Sequence, residues 1–382
     1  MKRPTSLLRD ERGSTIVLAA VAMTALLSIL ALAIDLGMLF TARGEAQRAA
    51  DSAALAGAAS FIEAPDNEQR ARDIAVQYAA ANSVRKDAVA LVPEDVEVDV
   101  PRMRVTVTVR RTADRGLAVA TWFARVFGVD EVDVAARATA EASPAGAATC
   151  LKPFAVPDAW DDVDLDDRYD SGEYYHPTDT GYGSDFRNGQ PSQNGVDPDG
   201  TTYEDDFGRP IVLKEGTPQE AIVPSWYFPW DVPQVSGSPA TGASRYRWNI
   251  ANCNTSVIRL GEAYMVENGN MTGPTRQGVE DLIDQDPDAS WDLAADSVVN
   301  SRYVPWKASP RVANIPLFDP TQPVDPGKKP IVFNNITAFW VEEMKGKDVV
   351  GRFLFATGVG VGSDGLGGAT EGPEVKFVRL VE

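Results

Sequence analysis

The chain is short of the residues on which most hydrolytic and redox sites are built. Its 382 residues include one histidine, His176, and two cysteines, Cys150 and Cys253. So few ligands nearly exclude a zinc site rich in His or Cys. Any Ser–His or Cys–His mechanism would rest on His176, which lies in EYYHPTD, and no serine sits in a G-x-S-x-G elbow. We read His176 as a solvated loop residue and expect neither a catalytic residue nor a bound cofactor. Positive charge is also scarce: 36 Lys and Arg face 55 Asp and Glu, a formal net charge of −19. That field repels phosphate backbones, and no basic stripe with interleaved aromatics offsets it, which argues against a nucleic-acid partner. It suits cations, basic partners or plain solubility.

What the N-terminus does contain is apolar length. From Ser14 to Ile34 there are 21 consecutive residues without a charge. At about 1.5 Å per residue, such a helix reaches the roughly 30 Å of a bilayer core. A cleaved secretory signal ending at Ala31-Leu32-Ala33 is the competing reading, but the run is longer than a signal core usually is. Lys2, Arg3, Arg9 and Arg12 precede the run, and only Arg43 and Arg48 follow closely, so residues 1–13 are expected in the cytoplasm and the body outside. Outside, Cys150 and Cys253 are free to pair; the alternative is two buried thiols that never meet. Asp35, just after the run, is expected at the outer interface with its carboxylate reaching water.

Past the span, Ala46, Ala49, Ala50, Ala53, Gly57 and Ser60 fall on one narrow helical face. Small side chains let helix backbones approach closely, so this face of residues 41–64 reads as a docking seam, with possible helix-mediated self-association. The bland alternative is an Ala-rich helix with no partner. Residues 65–143 form one compositional unit. DNEQRARDIAVQYAAANS reads as a helix capped by Asp66, with Ile74, Ala75, Tyr78 and Ala79 facing inward. VEVDV and RMRVTVTVR alternate with period two and read as strands broken at Pro101. LAVATWFARVFG reads as a short helix closed by Gly128, and 130–142 as a strand, with helix competing because alanine favours it.

After Ala142 the texture changes. Of 26 prolines only Pro4, Pro65, Pro93 and Pro101 come earlier, and seven of eight tryptophans come later. Residues 144–382 therefore read as a β-rich domain of short strands, at 221–228, 247–253, 329–343, 349–359 and 374–382, with one helix at 277–285. The acidic run 158–173 and the segment NGVDPDG offer Asp162, Asp164, Asp166, Asp197 and Asp199 as candidate calcium ligands, although neither fits the EF-hand loop. The stretch 360–365 satisfies G-x-G-x-x-G, but turn material follows instead of a helix, so we read a hairpin loop. The aromatic group 226–230 reads as packing before a sugar platform.

Taken together, Gly13 at the head of STIVLA, the run AIDLG with Asp35 and Gly37, and the ladder ADSAALAGA with Asp51, Ala53 and Gly57 resemble the N-terminal module of TadE/TadG-like proteins of bacterial Flp (tight-adherence) pilus assembly. The likeness extends more loosely through 70–142. It implies a single-pass inner-membrane protein with a pseudopilin-like α+β module and a periplasmic body, docking on pilus-assembly or secretion proteins. Two family features are missing: the fifth residue after Gly13 is Leu18 where related pilins carry Glu, and no D-x-S-x-S metal run is present. The overall expectation is an α+β protein: transmembrane helix 14–40, Ala-rich helix 41–64, module 65–143 and β-rich periplasmic domain 144–382. Its function is expected to be structural, without catalysis. The alternative is an exported calcium- or glycan-binding module tethered to the membrane.

Overall fold

The computed structural model describes residues 11–159, 175, 206–216, 222, 226–267, 271–322, 324–325, 330–355, 357–358 and 375–381, with side chains from Thr15 onward. Helix α1 runs Glu11–Ala59 without interruption, about 74 Å at the α-helical rise. Nothing in its sequence stops it: the segment contains no proline and is dominated by alanine and leucine, the strongest helix formers. The hydroxyls of Thr24, Ser28 and Thr41 donate back to carbonyls four residues earlier at 2.8–2.9 Å, so none is left unpaired on the apolar surface. The two halves of α1 meet different surroundings. Apolar side chains from Ile16 to Ile34 are bare, whereas Ala42, Ala46, Ala49, Ala50, Ala53, Ala54 and Ala58 are fully buried. The bare half is long and apolar enough to cross a membrane.

Helix α2, Glu68–Ala80, begins at Asn67, whose side chain accepts the Arg70 N–H at 2.9 Å; the cap lies one residue beyond the expected Asp66. Its buried face is Ala71, Ala75 and Ala79, and Tyr78, expected inside, is exposed. The reason is distance. With α1 presenting alanines and Gly57, α2 comes close enough that only its own alanines fit between the two backbones.

Strands β1 (Val96–Asp99), β2 (Arg104–Arg111) and β3 (Val134–Pro144) form an antiparallel sheet, with the Pro101 break realised as a short 3-10 turn. The buried valines of β2, Val105, Val107 and Val109, join the same core as the α1 alanines. Residues 134–144 are strand despite their alanine content. Pairing with the whole of β2, from Arg104 opposite Glu141 to Arg111 opposite Val134, overrides intrinsic helix preference. Residues 117–128 are not the expected helix: Val119–Ala120 is extended, and only Ala124–Phe127 makes a 3-10 turn, ended by Gly128 at φ 81°.

The body beyond Pro144 is a barrel. Strands β4 (Phe154–Pro157), β5 (Pro210–Glu215), β6 (Trp226–Pro229), β7 (Val312–Phe318), β8 (Ile331–Lys345) and β9 (Asp348–Leu354) pair in the order β8-β7-β4-β6-β5-β9, and β9 pairs back onto β8. Among the described residues, these six strands thus close a ring, which removes the sheet edges. The β4/β7 and β5/β6 pairs are parallel and the others antiparallel. Period two divides the side chains: Phe154, Val156, Phe339, Val341 and Phe353 share one core, while Ala155, Ala338, Trp340 and Leu354 share another. Gly351 on β9 leaves room for the Phe339 ring, which any Cβ there would overlap.

Helices α3 (Gly242–Ala251) and α4 (Thr272–Ile283) pack on each other and contribute Tyr246, Ile250, Val279 and Leu282 to the first of these cores. Of residues 247–253, expected as a strand, 247–251 are therefore the end of α3; their short apolar alternation suits either period. The Cys150–Cys253 disulfide joins the approach to β4 with the exit from α3. Finally β10, Lys376–Leu380, pairs antiparallel with β3, so the first sheet reads β10-β3-β2-β1. The last strand expected in the β-rich domain thus completes the N-terminal module.

Candidate functional site

The small-residue face of α1 is occupied by its own chain. Ala46, Ala49, Ala50, Ala53 and Gly57 pack in one core with Ala71 and Ala75 of α2, Val105 and Val107 of β2, and Ala138 and Ala140 of β3. A Cβ at Gly57 would stand 3.0 Å from Val105 Cγ1 and 3.1 Å from both the Ala71 carbonyl oxygen and Ala75 Cβ. The seam is intramolecular, and its reason is the close backbone approach that small residues permit. Gly37, by contrast, faces open space, and Asp51 is half-buried, accepting the Gln47 side-chain amide at 2.7 Å. Gly13 lies in the first turns of α1.

Asp35 departs from expectation. Instead of reaching water it is 2% exposed, and its carboxylate accepts the backbone N–H groups of Trp122 and Phe123 at 2.9 Å and of Ala124 at 2.6 Å. These three donors open the 3-10 turn Ala124–Phe127, where the backbone has no internal acceptor to offer them. A carboxylate accepting several N–H groups is a strong, charge-assisted arrangement. Sequence reasoning placed Asp35 at the end of the apolar run but had no means of seeing its partners 87–89 positions away. The acid therefore fastens loop 121–129 to α1 at the level where the bare half of the helix ends.

A second constellation ties the C-terminal strand into the module's sheet. Glu141 on β3 has a fully buried side chain, and its two carboxylate oxygens take Arg104 Nε from β2 at 2.7 Å and Arg379 from β10 at 2.8 Å, with Ser143 Oγ donating at 3.1 Å. Burial alone would raise this carboxyl, but the two guanidiniums and the hydroxyl hold it below its usual range. An ion pair between Lys307 and Glu63 links the body to the turn that follows α1.

The described part of the body contains a buried amine beside a cavity. Lys152, just before β4, is 3% exposed and donates to the Asn252 carbonyl at 3.1 Å. Burial pushes its amine down to about 7. It lines a cavity of about 460 Å³ beside the disulfide, together with Asn252, Gln285, Ser309 and Asn314. The aromatic group at 226–230 is core: Tyr227, Phe228 and Trp230 are each at most 1% exposed. Asp162, Asp164, Asp166, Asp197 and Asp199, His176 and the glycine-rich 360–365 lie outside the described residues. Among the described residues no cluster of acidic, histidine or cysteine side chains is arranged to hold a metal ion.

Residues 13–60 match the profile of the Flp pilus-assembly TadE/G-like family. The likeness to this family is confined to that segment. The match covers nearly all of α1, spanning both the bare apolar half and the alanine-packed half, with Asp35 between them. No curated protein and no solved structure matches the chain. The likeness to this family thus stands on the helix.

Proposed function

We propose that this protein is a membrane-anchored structural component of a Flp pilus-assembly or related secretion apparatus, with α1 crossing the inner membrane and the barrel displayed in the periplasm for protein–protein contact. The observation that carries the reading is the coincidence of the TadE/G-like match with a helix that is bare and apolar below Asp35 and locked into a folded body above it. Orientation follows from Lys2, Arg3, Arg9 and Arg12 preceding the span. The disulfide suits an oxidising compartment. No catalysis is assigned.

Membrane fractionation combined with protease accessibility tests it. Intact cells with a permeabilised outer membrane should lose the body to protease while a short N-terminal fragment stays with the inner membrane. A soluble body whose mature N-terminus lies after Ala33 would sink the reading.

A further inference from the structure

The loop fastened by Asp35 carries an apolar surface that the fold leaves uncovered. Trp122 is 62% exposed, Val126 79% and Phe127 78%, with Phe123 and Val129 also exposed. Arg125 is the one charged residue between Trp122 and Val129. These side chains lie beside the bare half of α1: Phe123, Val126 and Phe127 line an open groove with Leu27, Leu30 and Ile34, and the groove reaches down to Thr24. Ten residues of helix separate Thr24 from Ile34, about 15 Å or half a hydrocarbon core.

Depth decides what covers the loop. A span of about twenty residues starting beyond Arg12 ends near Leu32, so Leu30 lies just within it, and Leu27 and Thr24 lie roughly 7 and 12 Å deep. Whatever stands against them stands in hydrocarbon too. Much of the loop's backbone has the internal partners that this medium demands of polar groups. Asp35 takes the N–H groups of Trp122, Phe123 and Ala124. The N–H groups of Val126, Gly128 and Val129 donate to the carbonyls of Phe123, Arg125 and Ala124, and the Val129 carbonyl accepts the Thr121 hydroxyl. The Arg125 guanidinium turns back onto the Thr121 carbonyl, away from the apolar tip. Charge resumes only at Asp130 and Glu131.

We propose that loop 122–129 is a second membrane anchor, a wedge inserted into the outer half of the same bilayer that α1 crosses. It rests on the membrane-spanning reading above. The helix alone would let the body swivel and tilt; two apolar elements joined through Asp35 define a plane and hold the module against the membrane surface in one orientation. Trp122, at the loop's entrance, suits the interfacial belt that tryptophan favours.

Both native cysteines are bridged, so a single added cysteine can carry a polarity-sensitive fluorophore. Full-length Val126→Cys, Leu26→Cys on the bare half of α1 and Leu293→Cys on an exposed turn of the body would each be labelled and reconstituted into phosphatidylcholine vesicles containing acyl-chain nitroxide lipids. The expected result is blue-shifted emission from the Val126 and Leu26 sites, quenched to a similar extent, with Leu293 unquenched. Quenching at Leu26 with none at Val126 overturns the wedge and leaves the anchor standing; it is also the outcome if a protein partner covers the loop. Absence of quenching at Leu26 overturns the spanning reading, and the wedge with it.

Discussion

Beneath α1 the buried side chains are mostly alanine and valine, with Phe61 the one fully buried aromatic among the described residues of that core. In the barrel the corresponding positions hold Phe154, Tyr227, Tyr246, Phe339 and Phe353, with rings meeting edge to face at 5.1–6.5 Å. The first region gains its contacts by bringing backbones together, the second by filling a fixed volume between strands. Interiors of both kinds are close-packed, but their weak points are opposite: the module has no space to spare, and the barrel has large rings to lose.

The largest effect is expected from truncating the barrel. Phe339→Ala should cost about 3–5 kcal/mol, since neither Gly351 nor the closed ring of strands can collapse into the void. Denaturant titration of the full chain in detergent measures it; a loss no greater than that of an exposed substitution would contradict the closed, packed interior. The tie that holds β10 in the module's sheet comes next. Glu141→Gln should cost about 2–3 kcal/mol, below the figure for a fully buried pair because Arg104 and Arg379 are partly solvated. The folded carboxyl lies below its free value of 4.5. Its contribution is therefore complete above about pH 4.5 and fades as pH falls through the lower folded value. Melting temperature against pH should drop more steeply below 4.5 in the native chain than in the variant, and parallel curves would remove this role.

Overfilling the module tests its half of the comparison. Gly57→Leu should destabilise by about 1–3 kcal/mol although leucine is the better helix former, because Val105, Ala71 and Ala75 already stand against the position. Stabilisation of the variant in a thermal melt would show that α2 can move away. The smallest effect is expected at Lys152. Its folded value near 7 lies below the free 10.5, so the unfolded chain binds the extra proton between them and stability should rise as pH increases from 7 toward 10. Lys152→Met should flatten that rise and gain about 1 kcal/mol at neutral pH, the lost bond to Asn252 offsetting part of the relief. A melting curve whose pH slope is the same in both proteins would show that the amine is solvated.

Local pattern made α1 and β2 legible, because one is an unbroken run of helix formers and the other has a single strong period, whereas β3 was read as strand against a competing helix that only pairing with β2 removed. It failed at 247–253, where a few alternating apolar residues suit strand or helix alike and α3 formed through packing on α4. It also failed on the face of α2, since the inward side depends on how near α1 comes. TWFARVFG, with five apolar residues in eight, carried a signal that composition could not assign to core or surface.

The N-terminal run alone determined that a long helix forms, that its first half is suited to lipid and that its later face is small, because these depend on side-chain character within a few neighbouring residues. Tertiary structure decided what fills that face, that the last strand returns to the first sheet, and that six strands close on themselves. It also decided the fate of Asp35. A carboxylate at the end of an apolar run can turn to water or to buried N–H groups, and only the fold brought those of Trp122, Phe123 and Ala124 within reach.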